Sequence, residues 1–562
     1  MTAREELRAR LTGPGAPFEI VEETVLGERM RVFKNRARSL REVLAQSAAH
    51  GEKEYLVQGE KRIRYADHVK LVASLAAALR DRYGIGKGDR VAILAENRIE
   101  WPLAFWATQA LGGITAALNG WWTADEIAYG VADSAPKLLI ADKKRLERAR
   151  ERAGELDVPV VEMESGFDAL LAHAPGAALP DEPIAEDDPA VILYTSGTTG
   201  RPKGALASQR SIIGFVQTNT VSGAEMVLAE VMAGRMKPPD PVNRPQVVFL
   251  ATSPMFHLSG LYGNIVMQLA LGGKLVIRPG RFDPEALLEL IERERVTGWA
   301  ALGSMGPRVA THPSLEKYDR SSVENVGFGG APTTEAVQEL MRKAFPNARA
   351  NLGIGYGSSE SVAVAATIRG SDYDAHPTST GRVVATMEVE IRDPEGKPLP
   401  EGVEGEIHVR SAYTMLGYWG KPDATRDTIK PGRWLATGDI GRFEEGLLYI
   451  NSRARDMILR NAENVYPVEI ENRLEKHPQV REAAVYGVDH PEWGQEVKAV
   501  IVPEPGTRPD PRELARFCGE TLAAYKVPTA WEIRAEPLPR NPSGKILKNV
   551  LAGQAQSAFV EE

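Results

Sequence analysis

Eleven consecutive residues, Tyr194-Thr-Ser-Gly-Thr-Thr-Gly-Arg-Pro-Lys-Gly204, bring small hydroxyls, glycines and an ammonium together directly after the apolar run Val191 to Tyr194. Glycine and short side chains let a backbone turn until several N–H groups converge, which is the cradle that a polyphosphate needs. Thr195, Ser196, Gly197, Thr198, Thr199 and Gly200 make that loop, and Lys203 adds a point charge. The lysine stands three positions after Gly200, so the spacing is not the G-x-x-x-x-G-K-[ST] loop of the common nucleotide hydrolases. Taken alone, such a loop is also compatible with an ordinary turn.

A loop of this kind must be carried by rigid elements. Short β-branched runs bounded by turn residues recur at Val91 to Leu94, Val191 to Tyr194, Val247 to Leu250 and Leu275 to Ile277, and they predict buried strands. Between them lie helical patterns. The clearest begins at Asp283-Pro284-Glu285, a cap, an N1 proline and a first-turn acid ahead of Leu287, Leu288 and Ile291 on one face. Strands alternating with helices predict an α/β architecture. Pro- and Asp-rich stretches at Pro175 to Pro189 and Lys237 to Pro245 predict surface loops. The texture changes at Ser452-Arg453-Ala454-Arg455-Asp456, after which about a hundred residues read as a small separate domain. Its first helix is predicted to start at Pro467 and to bury Ile470 and Leu474, with strands at Ala483 to Val488 and Val497 to Val502.

The 562 residues carry 68 basic and 76 acidic side chains, a net charge of −8, with 43% hydrophobic and 26% charged residues. That composition excludes a disordered or fibrous chain and leaves ample length for two or more cores. The single cysteine, Cys518, excludes an intrachain disulfide and fits a reducing compartment, so the cytoplasm is expected. The start MTAREELRARLTGPG lacks the apolar segment of a signal peptide, and no run is long and apolar enough to predict a membrane span. Basic residues are scattered among acids, which gives no footprint for nucleic acid.

Seven further segments follow in order: Pro254-Met-Phe-His257 with Gly260, Gly329-Gly-Ala-Pro332, Tyr356-Gly-Ser-Ser-Glu360, Thr437-Gly-Asp439, Arg453 to Asp456, Glu463-Asn-Val-Tyr-Pro467 and Pro539-Arg-Asn-Pro-Ser-Gly-Lys545. With the loop after Tyr194 they lie between Tyr194 and Lys545, and the set resembles the adenylate-forming superfamily, in its branch of acyl-CoA synthetases, a resemblance that covers about residues 60 to 550. The resemblance implies a large N-terminal region of several subdomains (1–453) with mixed sheets and helices, binding ATP and the acyl group. It also implies a small mobile α+β C-terminal domain (454–562) carrying a catalytic lysine.

The activity so implied is ATP- and Mg²⁺-dependent. A carboxylic acid is converted to acyl-AMP and then passed to coenzyme A. Lys545 is then the catalytic lysine; a cation at ~4 Å in a partly desolvated site is worth about 4 kcal/mol, roughly a thousandfold in rate. The resemblance gives Mg²⁺ to Glu360, with the Ser359 hydroxyl facing phosphate or metal. It lays Tyr356 against adenine, with Gly330, Ala331 and Pro332 close to the base and Gly357 and Ser358 completing the nucleotide site. Asp439 and Arg453 are assigned to the ribose, and His257 to the carboxylate and acyl tunnel, with a buried structural histidine as its rival.

Several positions depart from the family pattern. Ser359 stands for a threonine, Gln209 for a histidine, Ser452 and Ala462 for glycines, and Arg455 for the usual hinge Asp or Lys. The methyl of Ala462 narrows the path expected for pantetheine. This leaves open an enzyme specialised in one half-reaction, or one that transfers the acyl group to a carrier protein. The residues are compatible with a broad range of carboxylic acids and with a homodimer among other assemblies.

Overall fold

The computed structural model describes residues 3–153, 157–195, 201–238, 240, 245–280, 282–303, 305–329, 333–453, 456–460, 463–490, 493–541 and 544–554. Among them, the first sheet runs in the order Gly417–Tyr418, Lys203–Ser208, Pro189–Thr195, Ile114–Ala117, Arg90–Leu94, Leu138–Ala141, Val160–Glu162. Its last five strands are parallel, and Ile114–Ala117 and Leu138–Ala141 are buried along their whole length. A parallel sheet covered on both faces selects such unbroken apolar runs. Lys203–Ser208 then turns back antiparallel on Pro189–Thr195 and takes Gly417–Tyr418 on its free side.

A second sheet of nine strands holds Leu352–Tyr356, Asn325–Gly329, Gly298–Ala300, Val248–Ala251, Lys274–Ile277 and Glu54–Gln58 as parallel neighbours, with antiparallel strands at both edges. A third sheet is antiparallel and includes Trp434–Glu444 against Leu447–Arg453. The smaller C-terminal domain has its own sheet, built on the long hairpin Val480–His490 and Gly494–Pro503, with helices Pro467–Leu474 and Pro511–Gly519. The architecture is mixed α/β, with a large N-terminal and a smaller C-terminal domain.

Local chemistry explains the predicted elements. Asp283 caps helix Pro284–Glu294 by accepting from the amides of Glu285 and Ala286, and Leu287, Leu288 and Ile291 are buried beneath it. Helix Pro467–Leu474 starts at its proline and buries Ile470 and Leu474. The strand expected from Val247 runs from Val248 to Ala251, because Val247 is half exposed at the sheet end. Cys518 is fully buried in the C-terminal core, where desolvation pushes its thiol up to about 11, so it packs as an apolar group. No described helix is long and apolar enough to cross a membrane.

Candidate functional site

The phosphate-type loop is suspended between two paired strands, Thr195 lying opposite Lys203 and Tyr194 opposite Gly204. Both ends are pinned to helix Ala124–Ser134. The Tyr194 hydroxyl donates to Asp133 Oδ2 at 3.0 Å, the Tyr129 hydroxyl donates to the Pro202 carbonyl at 3.0 Å, and the Arg201 guanidinium lies 5.3 Å from the Tyr129 ring centre. Burial and the nearby Asp133 carboxylate hold the Tyr194 phenol well above its ordinary range, so it stays a neutral donor. Ser196 to Gly200, Gly330 to Pro332, Arg455 and Ala462 lie outside the described residues, and of Arg453 only the backbone is described, in a strand opposite Asp439.

Tyr356 ends the parallel strand Leu352–Tyr356, and Asp439 sits within strand Trp434–Glu444. The Tyr356 hydroxyl donates to Asp439 Oδ2 at 2.7 Å, joining two residues 83 positions apart. Asp439 is 6% exposed, and its amide donates to Thr437 Oγ1 at 3.1 Å across Gly438, whose φ of +71 makes the turn.

The segment after Tyr356 is folded tightly on itself. The Ser358 and Ser361 amides each donate to the other serine's hydroxyl, at 2.8 and 3.1 Å. A Cβ on Gly357 would lie 2.9 Å from the Ala363 carbonyl oxygen. Val362, β-branched, is held at φ +54. Backbone strain of this kind persists only where surrounding structure imposes it. The loop presents Ser359 and Glu360, and Glu360 Oε1 accepts the Tyr418 hydroxyl at 2.9 Å.

Lys545 reaches the N-terminal domain on a tight turn. The Asn541 amide donates to the Lys545 carbonyl and the Gly544 amide to the Asn541 carbonyl, both at 2.8 Å, while Asn541 Oδ1 accepts the Lys545 amide. Arg540 braces it, donating to the Gly544 carbonyl at 2.8 Å and pairing with Glu482 at 2.7 Å. The Gly544 backbone meets Gly303 so closely that neither position has room for a Cβ. A cleft of about 2470 Å³ between the domains is lined by Tyr356, Gly357, Asp439 and Lys545, together with Trp121, Phe256 and Gly303. Lys203, Ser358, Ser359, Glu360 and His257 do not line it; Lys203 and Glu360 form a separate group around Tyr418.

His257 precedes a π-helix, Ser259–Val266, and its Nε2 is buried without a partner among the described residues. Desolvation pushes its imidazole down to about 4, so the ring is neutral at neutral pH. Its neighbour Phe256 packs edge-on against Trp121, whereas Trp122 is core, packed on Tyr194.

Residues 43–419 match the model of the AMP-binding enzymes, and residues 469–545 that of the AMP-binding enzyme C-terminal domain. The chain belongs to the AMP-binding enzyme family. This AMP-binding enzyme is 34% identical over 493 residues to a feruloyl-CoA synthase of Amycolatopsis sp, covering 87% of the chain and 93% of that protein. It is 33% identical over 500 residues to the long-chain-fatty-acid–CoA ligase FadD13 of Mycobacterium tuberculosis, covering 88% of the chain and 93% of that protein. It also resembles the solved structure of the amide bond synthetase McbA from Marinactinospora thermotolerans, at 31% identity and a TM-score of 0.78 over 92% of this chain and 99% of that one.

Four side chains of the AMP-binding enzyme escaped sequence reasoning. Tyr418, in a two-residue edge strand, has no local signal; Asp133, on a helix distant in sequence, accepts the Tyr194 hydroxyl at one end of the loop and pairs with Lys421; Ser361 closes the Glu360 loop; Arg540 lies inside the motif that ends at Lys545. Glu475 also lines the cleft, and burial beside Glu471 pushes its carboxyl up to about 7.

Proposed function

We propose that this AMP-binding enzyme is an ATP-dependent carboxylic acid–CoA ligase of the AMP-forming type, with residues 1–453 and 454–562 as its two working domains. The observation that carries the reading is the cleft in which Lys545, from the smaller domain, shares a wall with Tyr356 and Asp439 from the larger one. In the first step a carboxylate oxygen bonds to the α-phosphorus of ATP as the bond to the bridging oxygen breaks and pyrophosphate leaves. In the second, the CoA sulfur bonds to the acyl carbon, the bond to AMP breaks and the thiol proton passes to solvent. No protein nucleophile is needed, so the chain's task is positioning and charge compensation. Thr195 to Gly200 and Lys203 hold the polyphosphate. Tyr356, with Gly330 to Pro332, Gly357 and Ser358, faces adenine; Asp439 and Arg453 take the ribose; and Lys545 meets the oxygens between acid and α-phosphate. Neutral His257 serves the acyl carboxylate as a hydrogen-bonding group.

Glu360 and Ser359 fit Mg²⁺, because one carboxylate and one hydroxyl suffice when substrate phosphates complete the shell, and the Tyr418 hydroxyl already fixes one carboxylate oxygen. When bound, the ion would neutralise phosphate charge. The acid is left broad, since the named relatives take an aromatic acid and a long-chain fatty acid. A reducing compartment, the cytoplasm, is the setting that the single cysteine supports.

A second reading rests on Ala462, which stands for a glycine in the expected pantetheine path. It is an enzyme that makes acyl-AMP efficiently and passes the acyl group to a carrier protein, or to another acceptor, rather than to CoA. The likeness to an amide bond synthetase supports keeping it. Purified protein with ATP, Mg²⁺ and a panel of aryl and fatty acids should release pyrophosphate, and CoA offered beside a holo carrier protein separates the two readings. Lys545→Ala should lose acyl-AMP formation and keep acyl transfer from synthetic acyl-AMP. Release of neither AMP nor pyrophosphate with any acid would end both readings.

A further inference from the structure

Tyr418 touches both charged groups of the second cluster. Its ring centre lies 5.3 Å from Lys203 Nζ, and its hydroxyl donates to Glu360 Oε1 at 2.9 Å. Among the described residues neither Lys203 nor Glu360 has an ion-pair partner, although the same phenol serves both. An ammonium over an aromatic face is attracted by the ring quadrupole, and a carboxylate is held by a phenol donor.

The ring is placed by backbone rather than by its hydroxyl. Tyr418 pairs with Ala205 across the sheet edge, and its amide donates to Thr425 Oγ1 at 2.9 Å. The following residues are tied to the helix that anchors the loop, Trp419 Nε1 donating to the Asp133 carbonyl at 3.1 Å and Lys421 Nζ pairing with Asp133 Oδ1 at 2.8 Å. Gly417 lies so close to Thr425 that a Cβ there would sit 2.7 Å from its Cγ2. Removing the hydroxyl therefore leaves the ring in place.

We infer that Tyr418 is a positioning residue that keeps Lys203 and Glu360 from collapsing onto one another and aims them at different targets, the ammonium at the polyphosphate and the carboxylate at the divalent cation that accompanies it. Without the ring, the two opposite charges meet and quench each other. With it, one phenol orders a cation and an anion at the same time. This assignment rests on the ligase reading.

The test separates the two contacts by equilibrium binding. Calorimetric titration with ATP in EDTA, and with ATP at graded Mg²⁺, is made on the wild type, Tyr418→Phe, Tyr418→Leu, Glu360→Gln and the Tyr418→Leu/Glu360→Gln pair, each checked by thermal melting. Tyr418→Phe should keep metal-free ATP affinity within about twofold and raise the Mg²⁺ concentration for half-enhancement about tenfold, the scale of a lost hydrogen bond to a charged group. Tyr418→Leu should also weaken metal-free ATP binding about fivefold, of the order of a lost cation–π contact plus a quenched lysine. In the double variant the quenching is relieved because no carboxylate remains to capture Lys203, so metal-free affinity should rise above that of Tyr418→Leu and fall short of Glu360→Gln alone only by the lost cation–π contact, about two- to threefold. A Tyr418→Phe protein with wild-type Mg²⁺ dependence, or a double variant no better than Tyr418→Leu, overturns the inference while the ligase reading stands. A wild type that binds no ATP overturns both.

Discussion

Gly303→Ala should separate the two half-reactions. Gly303 sits at φ +53, and a Cβ there would lie 2.5 Å from Gly544 Cα and 2.6 Å from the Gly544 carbonyl oxygen. Carbon atoms rest at about 3.5–4.0 Å, so the turn that carries Lys545 must retreat by about 1 Å. A misplacement of that size costs about a hundredfold in a step that depends on alignment, or about 2.7 kcal/mol. The alanine also pays roughly 1 kcal/mol for its left-handed backbone, within the N-terminal domain. Acyl-AMP formation, measured by rapid quench in a single turnover with saturating acid and ATP, should fall about a hundredfold. Transfer from synthetic acyl-AMP to CoA should change less than about threefold, since Lys545 is not asked to be there. Gly519→Ala, where the added Cβ meets only Val527 Cγ2 at 4.0 Å, is the matched control and should leave both steps unchanged. Equal loss in both steps, or adenylation within about twofold of wild type, would show that this glycine pair does not seat the lysine.

Tyr356→Phe removes the 2.7 Å bond to Asp439 Oδ2. A hydrogen bond to a carboxylate is worth about 1.5–3 kcal/mol, so KM for ATP should rise at least about tenfold with kcat within about threefold, read by pyrophosphate release; a fall in kcat at constant KM would contradict a binding role. His68 is fully buried, and neither ring nitrogen has a partner among the described residues; burial pushes its imidazole down to about 3. The unfolded chain then takes up a proton near pH 6.5 that the folded chain refuses, so stability is intact above that pH and is lost as pH falls towards 3. At pH 5 the loss is about 2 kcal/mol, and His68→Phe should shrink by that amount the difference in urea-unfolding free energy between pH 7.5 and pH 5; an unchanged difference would remove His68 from the account.

Where the determinants are local, the amino-acid pattern is enough. Asp283 caps its helix and Pro467 opens one for reasons contained within four residues, and the run Val191 to Tyr194 is a buried strand because nothing polar interrupts it. What stayed hidden was long-range. Tyr356 and Asp439 were each singled out, yet their bond depends on how two different sheets meet, and no spacing along the chain encodes it. Tyr418 was missed because two residues at a sheet edge carry no periodicity, and its value comes from what the Lys203 strand and the Glu360 loop bring to its two ends. Gln209, read as a departure at a family histidine, is buried instead in a structural network, accepting from the Leu40 amide and donating to Gln109.

The division of the core bears on how one cleft can serve two reactions. The three apolar clusters of the N-terminal domain contain nothing beyond Ile450, and the two of the C-terminal domain nothing before Ile458, so among the described residues no apolar cluster crosses between them. Among the described residues, the contacts that do cross include the half-exposed pair Lys476 and Glu335 at 3.1 Å and the Gly303–Gly544 backbone approach. A solvent-exposed ion pair contributes about 0–1 kcal/mol, and interfaces of this kind permit relative motion as the default. Glu475, next to Lys476 and with its carboxyl pushed up to about 7, is only partly ionised at neutral pH and adds less than a full negative charge to the seam. On the proposed mechanism the C-terminal domain must withdraw Lys545 after acyl-AMP forms, and a seam without shared apolar core lets it do so without exposing buried hydrocarbon. On that mechanism the largest cost of withdrawal is avoided, and small contacts such as the glycine pair would set the balance between poses.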